Sequence, residues 1–289
     1  YTTKTASNRM SAFFDKSFQT IKSAAKIALY SRRPSISRAE KPERIVIMGN
    51  GPSLNRTIAD SPELLRRYPT MAVNFAANAP VFRELKPRYY VLADPHFFKA
   101  KEDVNVAKLW KSLSDIDWTM TLYVPTRELS NTRRLLSGSN IRVEGFNAVG
   151  AEGFRWFSHM AYRLGLAMPR PRNVLIPAIM LAIGAGFKNI VITGADHSWM
   201  KTLSVTDNNE VVSIQPHFYN DDNKEKERIL HEYKGYPLHS IVESFAVAFR
   251  SYHHIQEYAV RRGISITNAT PESFIDAFPR VKAEDLHGA

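Results

Sequence analysis

The sequence predicts an α/β fold: a mostly parallel, Rossmann-like sheet with helices on both faces and a lid-like insertion. Three observations carry this. From Arg44 onward, apolar runs of strand length alternate with helical patterns. The first run, Ile45-Val46-Ile47-Met48, is a buried-type strand, and it leads straight into Gly49-Asn50-Gly51-Pro52-Ser53-Leu54. Between Asp196 and Tyr236 the alternation gives way to polar and charged residues, a length of irregular chain uncommon in a compact domain unless it is functional or disordered.

In chain order, the pattern predicts strands at Arg44–Met48, Thr70–Asn74, Arg88–Ala93 and Trp118–Val124, a weak one near Ile141, then Asn189–Thr193 and Ile264–Thr267. Helices are expected over Thr57–Tyr68, Ala79–Leu85, Thr126–Leu136, Ala151–Leu164, Val174–Ala185 and Leu238–Arg262. The stretch 196–236, with Asp207-Asn208-Asn209-Glu210 and Asn220-Asp221-Asp222-Asn223, is a candidate lid within a domain spanning 44–289. Ahead of that domain, in residues 1–43, Phe14, Phe18, Ile21, Ala25 and Leu29 recur at helical spacing, with Lys16, Lys22 and Lys26 largely off the stripe. Residues 32–42, with Pro34 and Pro42, read as a linker.

Composition narrows the function classes. A hydrophobic content of 44% with 23% charged residues belongs to a folded chain rather than a disordered one. With no cysteine there is no disulfide framework, thiolate metal site or cysteine nucleophile, which fits a reducing, cytoplasmic compartment. No stretch approaches the roughly 20 apolar residues of a membrane span, and the N-terminus lacks the apolar block of a secretory signal. The chain begins with Tyr1, which leaves upstream residues open.

Of the net charge of +11, most sits at one end: ten lysines and arginines among residues 1–44 face only Asp15, Glu40 and Glu43. No nucleic-acid partner is expected, because that charge sits in one terminal helix without an interleaved base-stacking module. A basic amphipathic helix suits an anionic membrane surface, here through residues 10–33 on the inner face of the cytoplasmic membrane. The other reading packs its stripe on the body of the protein or on a second subunit, so an oligomer stays open.

The candidate chemistry gathers at strand ends. Gly49 to Leu54 follows the first strand, where open α/β sheets bind nucleotides. Gly51 lets backbone approach a ligand, and Asn50 and Ser53 offer hydrogen bonds beside a helix N-terminus that favours an anion. The loop is neither a Walker loop nor a dinucleotide fingerprint, and a tight turn without ligand is its alternative. Asn74 closes the second strand, Asp94-Pro95 the third, and Gly194-Ala195-Asp196-His197-Ser198-Trp199 follows a later one. Tyr236-Pro237-Leu238-His239-Ser240 opens the long helix, and histidine is the side chain best suited to take a hydroxyl proton near neutral pH. His217 and Tyr219 in the candidate lid are open to substrate contact. Asp94, Asp196 and the histidines lack a spacing that specifies a metal.

Together, these motifs resemble the bacterial sialyltransferases of glycosyltransferase family 42 over roughly residues 44–277. The resemblance implies an inverting transfer from a CMP-activated ulosonic acid to a glycan or glycolipid acceptor, with no required metal. It places Asn50, Ser53 and Asn74 on the nucleotide, makes His239 the general base, and sets Tyr236 near the leaving phosphate. Asp94 stands where that family has asparagine, Asn173-Val174-Leu175 replaces its Thr-Ser-Gly segment, and His197, Ser198 and Trp199 replace its tyrosines. Such changes suit a different CMP-linked sugar, another nonulosonate or Kdo. The ending Ile264 to Thr270 with Phe278-Pro279-Arg280-Val281 is similar to the domain of hydroxymethylpterin pyrophosphokinases and motility accessory factors. Its first branch implies ATP and Mg²⁺ held by Asp94 with Asp196; a non-catalytic nucleotide- or glycan-binding module is the remaining alternative.

Overall fold

The computed structural model describes residues 2–100, 102–213 and 235–287. Seven strands, β1 (Arg44–Met48), β2 (Thr70–Val73), β3 (Tyr89–Val91), β4 (Met120–Pro125), β5 (Ile141–Phe146), β6 (Asn189–Thr193) and β9 (Ser265–Asn268), form one sheet in the order β5-β4-β3-β2-β1-β6-β9. Every pairing in it is parallel. This is the Rossmann-like α/β arrangement. The chain steps outward from β1 to β5, then returns to the other side of β1 with β6. The order therefore reverses between β1 and β6, and a crevice opens outside their carboxyl ends.

Both faces of the sheet are covered, and β1 shows why. Ile45 and Ile47 enter one apolar cluster while Val46 and Met48 enter another, as the two-residue period of a strand requires. The first cluster lies under α9 (Leu175–Ala185) and α10 (Leu238–Val260). The helix α9 is apolar nearly all round, and that matches its almost complete burial. The second cluster receives α3 (Pro62–Arg67), which follows α2 (Ser53–Asp60), and α6 (Val104–Ser114), through Leu64, Leu65 and Leu109.

Several elements differ from expectation. The helix expected over Thr57–Tyr68 begins earlier, at Ser53, and breaks at Ser61, because Pro62 cannot continue the hydrogen-bond ladder. The strand near Ile141 is a full six residues. Helix α6 is present where no helix was expected; Asp103 caps it by accepting from the N–H groups of Asn105 and Val106, and Val106, Leu109 and Leu113 bury one face. The shorter helices α4 (Phe82–Leu85), α5 (His96–Lys99), α7 (Leu129–Leu135) and α8 (Arg155–Arg163) complete the layers.

The segment read as a linker is tied down. Ser35 N donates to Gly145 O at 3.1 Å, Gly145 N donates to Ser35 Oγ at 2.9 Å, and Ser37 N donates to the buried Glu144 carboxylate at 2.8 Å. Those bonds cover the outer edge of β5, which would otherwise expose unpaired backbone groups. Ahead of this strap runs α1 (Thr2–Tyr30). Within the candidate lid, β7 (Leu203–Val205) and β8 (Val211–Ser213) form an antiparallel hairpin, and Val211 packs on Ile241 and Phe245 of α10. His217 and Tyr219 lie outside the described residues.

Candidate functional site

A cleft of about 990 Å³ occupies the reversal point, at the upper end of the size usual for small-molecule sites. Its floor is two interlocked loops. Gly49 N donates to Thr193 O and Gly51 N to Gly194 O, each at 2.8 Å. A Cβ on Gly49 would stand 2.4 Å from Gly194 O, so only glycine permits the approach. The loop after β6 is locked from behind: Thr270 Oγ1 accepts from Ala195 N at 3.0 Å, Ser273 Oγ donates to Ala195 O at 2.6 Å, and Phe274 N donates to Asp196 O at 2.9 Å. The C-terminal motif thus shapes the cleft from outside it.

The start of α2 already holds a negative charge. Asp196 accepts from Ser53 Oγ at 2.7 Å and from Ser53 N at 3.3 Å. The dipole and side chain expected to meet a phosphate are met by this carboxylate instead. Ser53 accordingly sits behind Asp196, off the cleft wall, while Asn50, Gly51, Asn74, Asp94 and Asp196 line it. Asn50 Nδ2 donates to Val73 O at 3.0 Å, leaving its buried Oδ1 without a partner. Asn74 is left-handed, at φ 51°, with its carbonyl oxygen accepting from the Tyr90 hydroxyl. Asp94 is exposed and accepts from His96 N at 2.8 Å, a local turn that starts α5.

The opposite wall is a hydrogen-bonded chain. Asn173 Oδ1 accepts from Leu175 N at 3.0 Å and from the Tyr252 hydroxyl at 2.9 Å. With its one proton committed there, Tyr252 Oη must accept from His197 Nε2, 2.6 Å away. His197 is therefore the Nε2–H tautomer, with an unprotonated Nδ1. It too is left-handed, at φ 51°, and its ring centroid stands 4.2 Å from that of Trp199. Strained backbone of this kind gathers at functional sites. Asn173 Nδ2, like Asn50 Oδ1, is buried without a partner.

Although an edge of His197 reaches the cleft, Trp199, Phe249 and Tyr252 enclose the ring, and burial pushes its pKa down to about 3. The unfolded chain takes a proton here near pH 6.5 that the folded one refuses, so this contribution is complete above 6.5 and erodes as pH falls toward 3. Between pH 7 and 5.5, urea unfolding of the native chain should lose about 1 kcal/mol more than that of His197→Asn. Asparagine tolerates the left-handed backbone. Equal losses in the two proteins would refute the buried neutral imidazole.

A second imidazole at the cleft belongs to no motif in the sequence. His96, on α5 at the carboxyl end of β3, lines the cleft with Nε2 2.9 Å from Asp103 Oδ2. Asp103 Oδ1 is occupied by the Asn105 and Val106 N–H groups, and although burial opposes it, these bonds and the imidazole hold the carboxyl below its ordinary pKa. A carboxylate on one ring nitrogen orients the imidazole and leaves Nδ1 to act. The signal was present in the sequence as Asp103 capping a helix seven residues beyond His96, but nothing local says that the two side chains meet.

Charge in the cleft is mixed. Arg170 is paired with Glu152 at 2.5 Å, whereas Arg172 is exposed with no acidic partner among the described residues. Tyr236 lines the cleft from an exposed position, and Trp199 forms part of its aromatic side. His239 lies on the exposed first turn of α10, outside the cleft lining. Among the described residues, no three acidic or histidine side chains gather as a metal site requires.

No family model and no curated protein matches this sequence. A solved structure described as the MAf glycosyltransferase from Magnetospirillum magneticum AMB-1 is similar in fold, with a TM-score of 0.50 at 12% identity. The match covers 95% of this chain and 39% of that one, so the chain spans well under half of the structure it resembles.

Proposed function

We propose that the chain is a glycosyltransferase that moves a sialic acid-like or other ulosonic acid from a CMP-activated donor to a glycan acceptor, with inversion and without a metal. The observation that carries this reading is the cleft at the β1–β6 reversal, lined by the strand-end residues Asn50, Asn74 and Asp94 and by a carboxylate-oriented imidazole. The likeness to a structure described as a glycosyltransferase supports it at the level of fold. The resemblance of the strand-end motifs to family 42 supplies the CMP-linked donor.

In this mechanism the acceptor hydroxyl attacks the anomeric carbon as the bond to the CMP phosphate breaks, and the phosphate leaves with the bonding electrons. His96 Nδ1 takes the hydroxyl proton, with Asp103 steadying the imidazolium that forms. Arg172 meets the charge on the departing phosphate. Asn50 and Asn173, which line the cleft, stand beside the donor. His239, the base by family resemblance, is the competing assignment, favoured by Tyr236 beside it at the cleft. The pyrophosphokinase reading needs carboxylates for Mg²⁺, but Asp196 is engaged by Ser53 and Asp94 by a local turn.

Thermal unfolding with CMP, CDP, ATP and GTP, each with and without Mg²⁺, tests the proposal. CMP without metal, at a hundred times its Kd, is expected to stabilise the fold by about 2.7 kcal/mol. Stabilisation by ATP only with Mg²⁺ would replace the proposal with the kinase reading. No response to any nucleotide would leave a module that binds something else.

A further inference from the structure

The apolar stripe of α1 points away from the protein. Phe14, Phe18, Ile21 and Leu29 are 63%, 63%, 70% and 64% exposed, and Ala25 between them is exposed too. At about 100° per residue these side chains share one narrow face. The opposite face docks: Ser23 Oγ donates to Glu152 O at 3.0 Å and accepts from Glu152 N at 2.9 Å, Thr20 Oγ1 accepts from Phe154 N at 2.9 Å, and Ile27 packs on the core. Helix α1 therefore holds to the body by a small polar face and leaves its large apolar side chains in solvent. Among the described residues, none covers the stripe.

We infer that α1 is an interfacial anchor, with Phe14, Phe18, Ile21 and Leu29 entering an anionic lipid surface. The charges beside the stripe choose this occupant. Lys22 and Lys26 border it on one side, they and Arg32 and Arg33 have no carboxylate partner among the described residues, and Asp15 is the one acid in the helix. Lysines bordering an aromatic and aliphatic face reach headgroups while their stems follow the chains. A second copy would bring the same unpaired cations together across a two-fold axis, and lysine is depleted in such interfaces. The neighbouring α8 adds exposed Trp156, Met160 and Leu164 at four-residue spacing, joined to α1 through the Phe13–Phe154 contact. Tryptophan favours the membrane interface. No helix among the described residues is long and apolar enough to cross a membrane, so the contact is with one surface only.

The anchor is wired to the cleft through one residue. Glu152 holds Ser23 of α1 with its backbone and Arg170 at the cleft wall with its carboxylate. A membrane-bound α1 thus fixes the cleft at a set height over the lipid, where a glycolipid acceptor presents its sugar.

Co-sedimentation of the whole chain with phosphatidylcholine vesicles, with and without about one-third phosphatidylglycerol, tests the inference. Binding to the anionic vesicles, weakened by salt and absent from the neutral ones, is expected. F18E/I21E should weaken it at least about tenfold with thermal stability unchanged, since both side chains are exposed, and K22E/K26E should weaken it by about that factor without touching the stripe. Absence of binding to anionic vesicles, or binding indifferent to F18E/I21E, would overturn it. So would a concentration-dependent dimer that F18E/I21E dissociates and vesicles leave intact. None of these readouts uses the cleft, so the outcome is separate from that of the proposed transferase.

Discussion

Replacing His96 by asparagine is expected to lower the rate of glycosyl transfer by about 10²- to 10⁴-fold, the usual contribution of a positioned general base. The ring is only partly buried and its polar partner is one carboxylate, so the fold should survive. Asp103→Asn is the more telling variant. Asparagine caps a helix as well as aspartate does, so the N–H groups of Asn105 and Val106 keep their acceptor and stability should hold. What it removes is the negative charge beside Nε2. If His96 is the base, kcat should fall with KM little changed. A variant that unfolds earlier but keeps its turnover would reduce the pair to a tie between α5 and α6. Full activity of His96→Asn with loss in His239→Asn would hand the role to His239.

Gly49→Ala is expected to cost about 3 kcal/mol or more of stability and to abolish CMP binding with it. The methyl would meet Gly194 O at 2.4 Å and Gly194 C at 2.9 Å, both backbone, and that backbone is clamped from behind by Thr270 and Ser273. Neither loop has room to retreat. Gly184→Ala in α9 is the matched control, because its Cβ would find only ordinary contact with Ile36 at 3.7 Å. There, alanine should be neutral or stabilise by about 0.5–1 kcal/mol, as for any helix-interior glycine with space. Denaturant melts of both proteins decide the matter. A mild effect at Gly49 would mean that the loops are not interlocked.

The fold was legible because its signal is local and repeated. The run Ile45-Val46-Ile47-Met48 is continuous because both sheet faces are covered, and α9 is uniformly apolar for the same reason. That the strand-end residues come together was legible too, since residues at the carboxyl ends of parallel strands must share one edge; Asn50, Asn74, Asp94, Asp196 and His197 line one cleft on that account. Pairing was not legible. Ser53 and Asp196 are separated by 143 residues, and nothing near either says that the carboxylate will take the helix start. His96 lay in what read as a strand-end turn, its partner in a helix passed over because Val106, Leu109 and Leu113 mark too short an apolar stripe to stand out. The α1 stripe was legible as a stripe, but which way it faces is decided by Ser23 and Thr20, small polar residues that carry no hydrophobic signal.

The carboxylate seated at the start of α2 bears on how a catalytic cycle ends. A helix terminus free to grip phosphate would hold the spent nucleotide about as firmly as the donor, and the site would clog with its own product. Here that grip is occupied by Asp196, and among the described residues Arg172 is the guanidinium at the cleft without a carboxylate partner, exposed and on a long side chain. In the proposed transferase the donor is then retained chiefly through its sugar and base, so cleaving the sugar from the nucleotide itself loosens what remains and turnover needs no separate step to expel it.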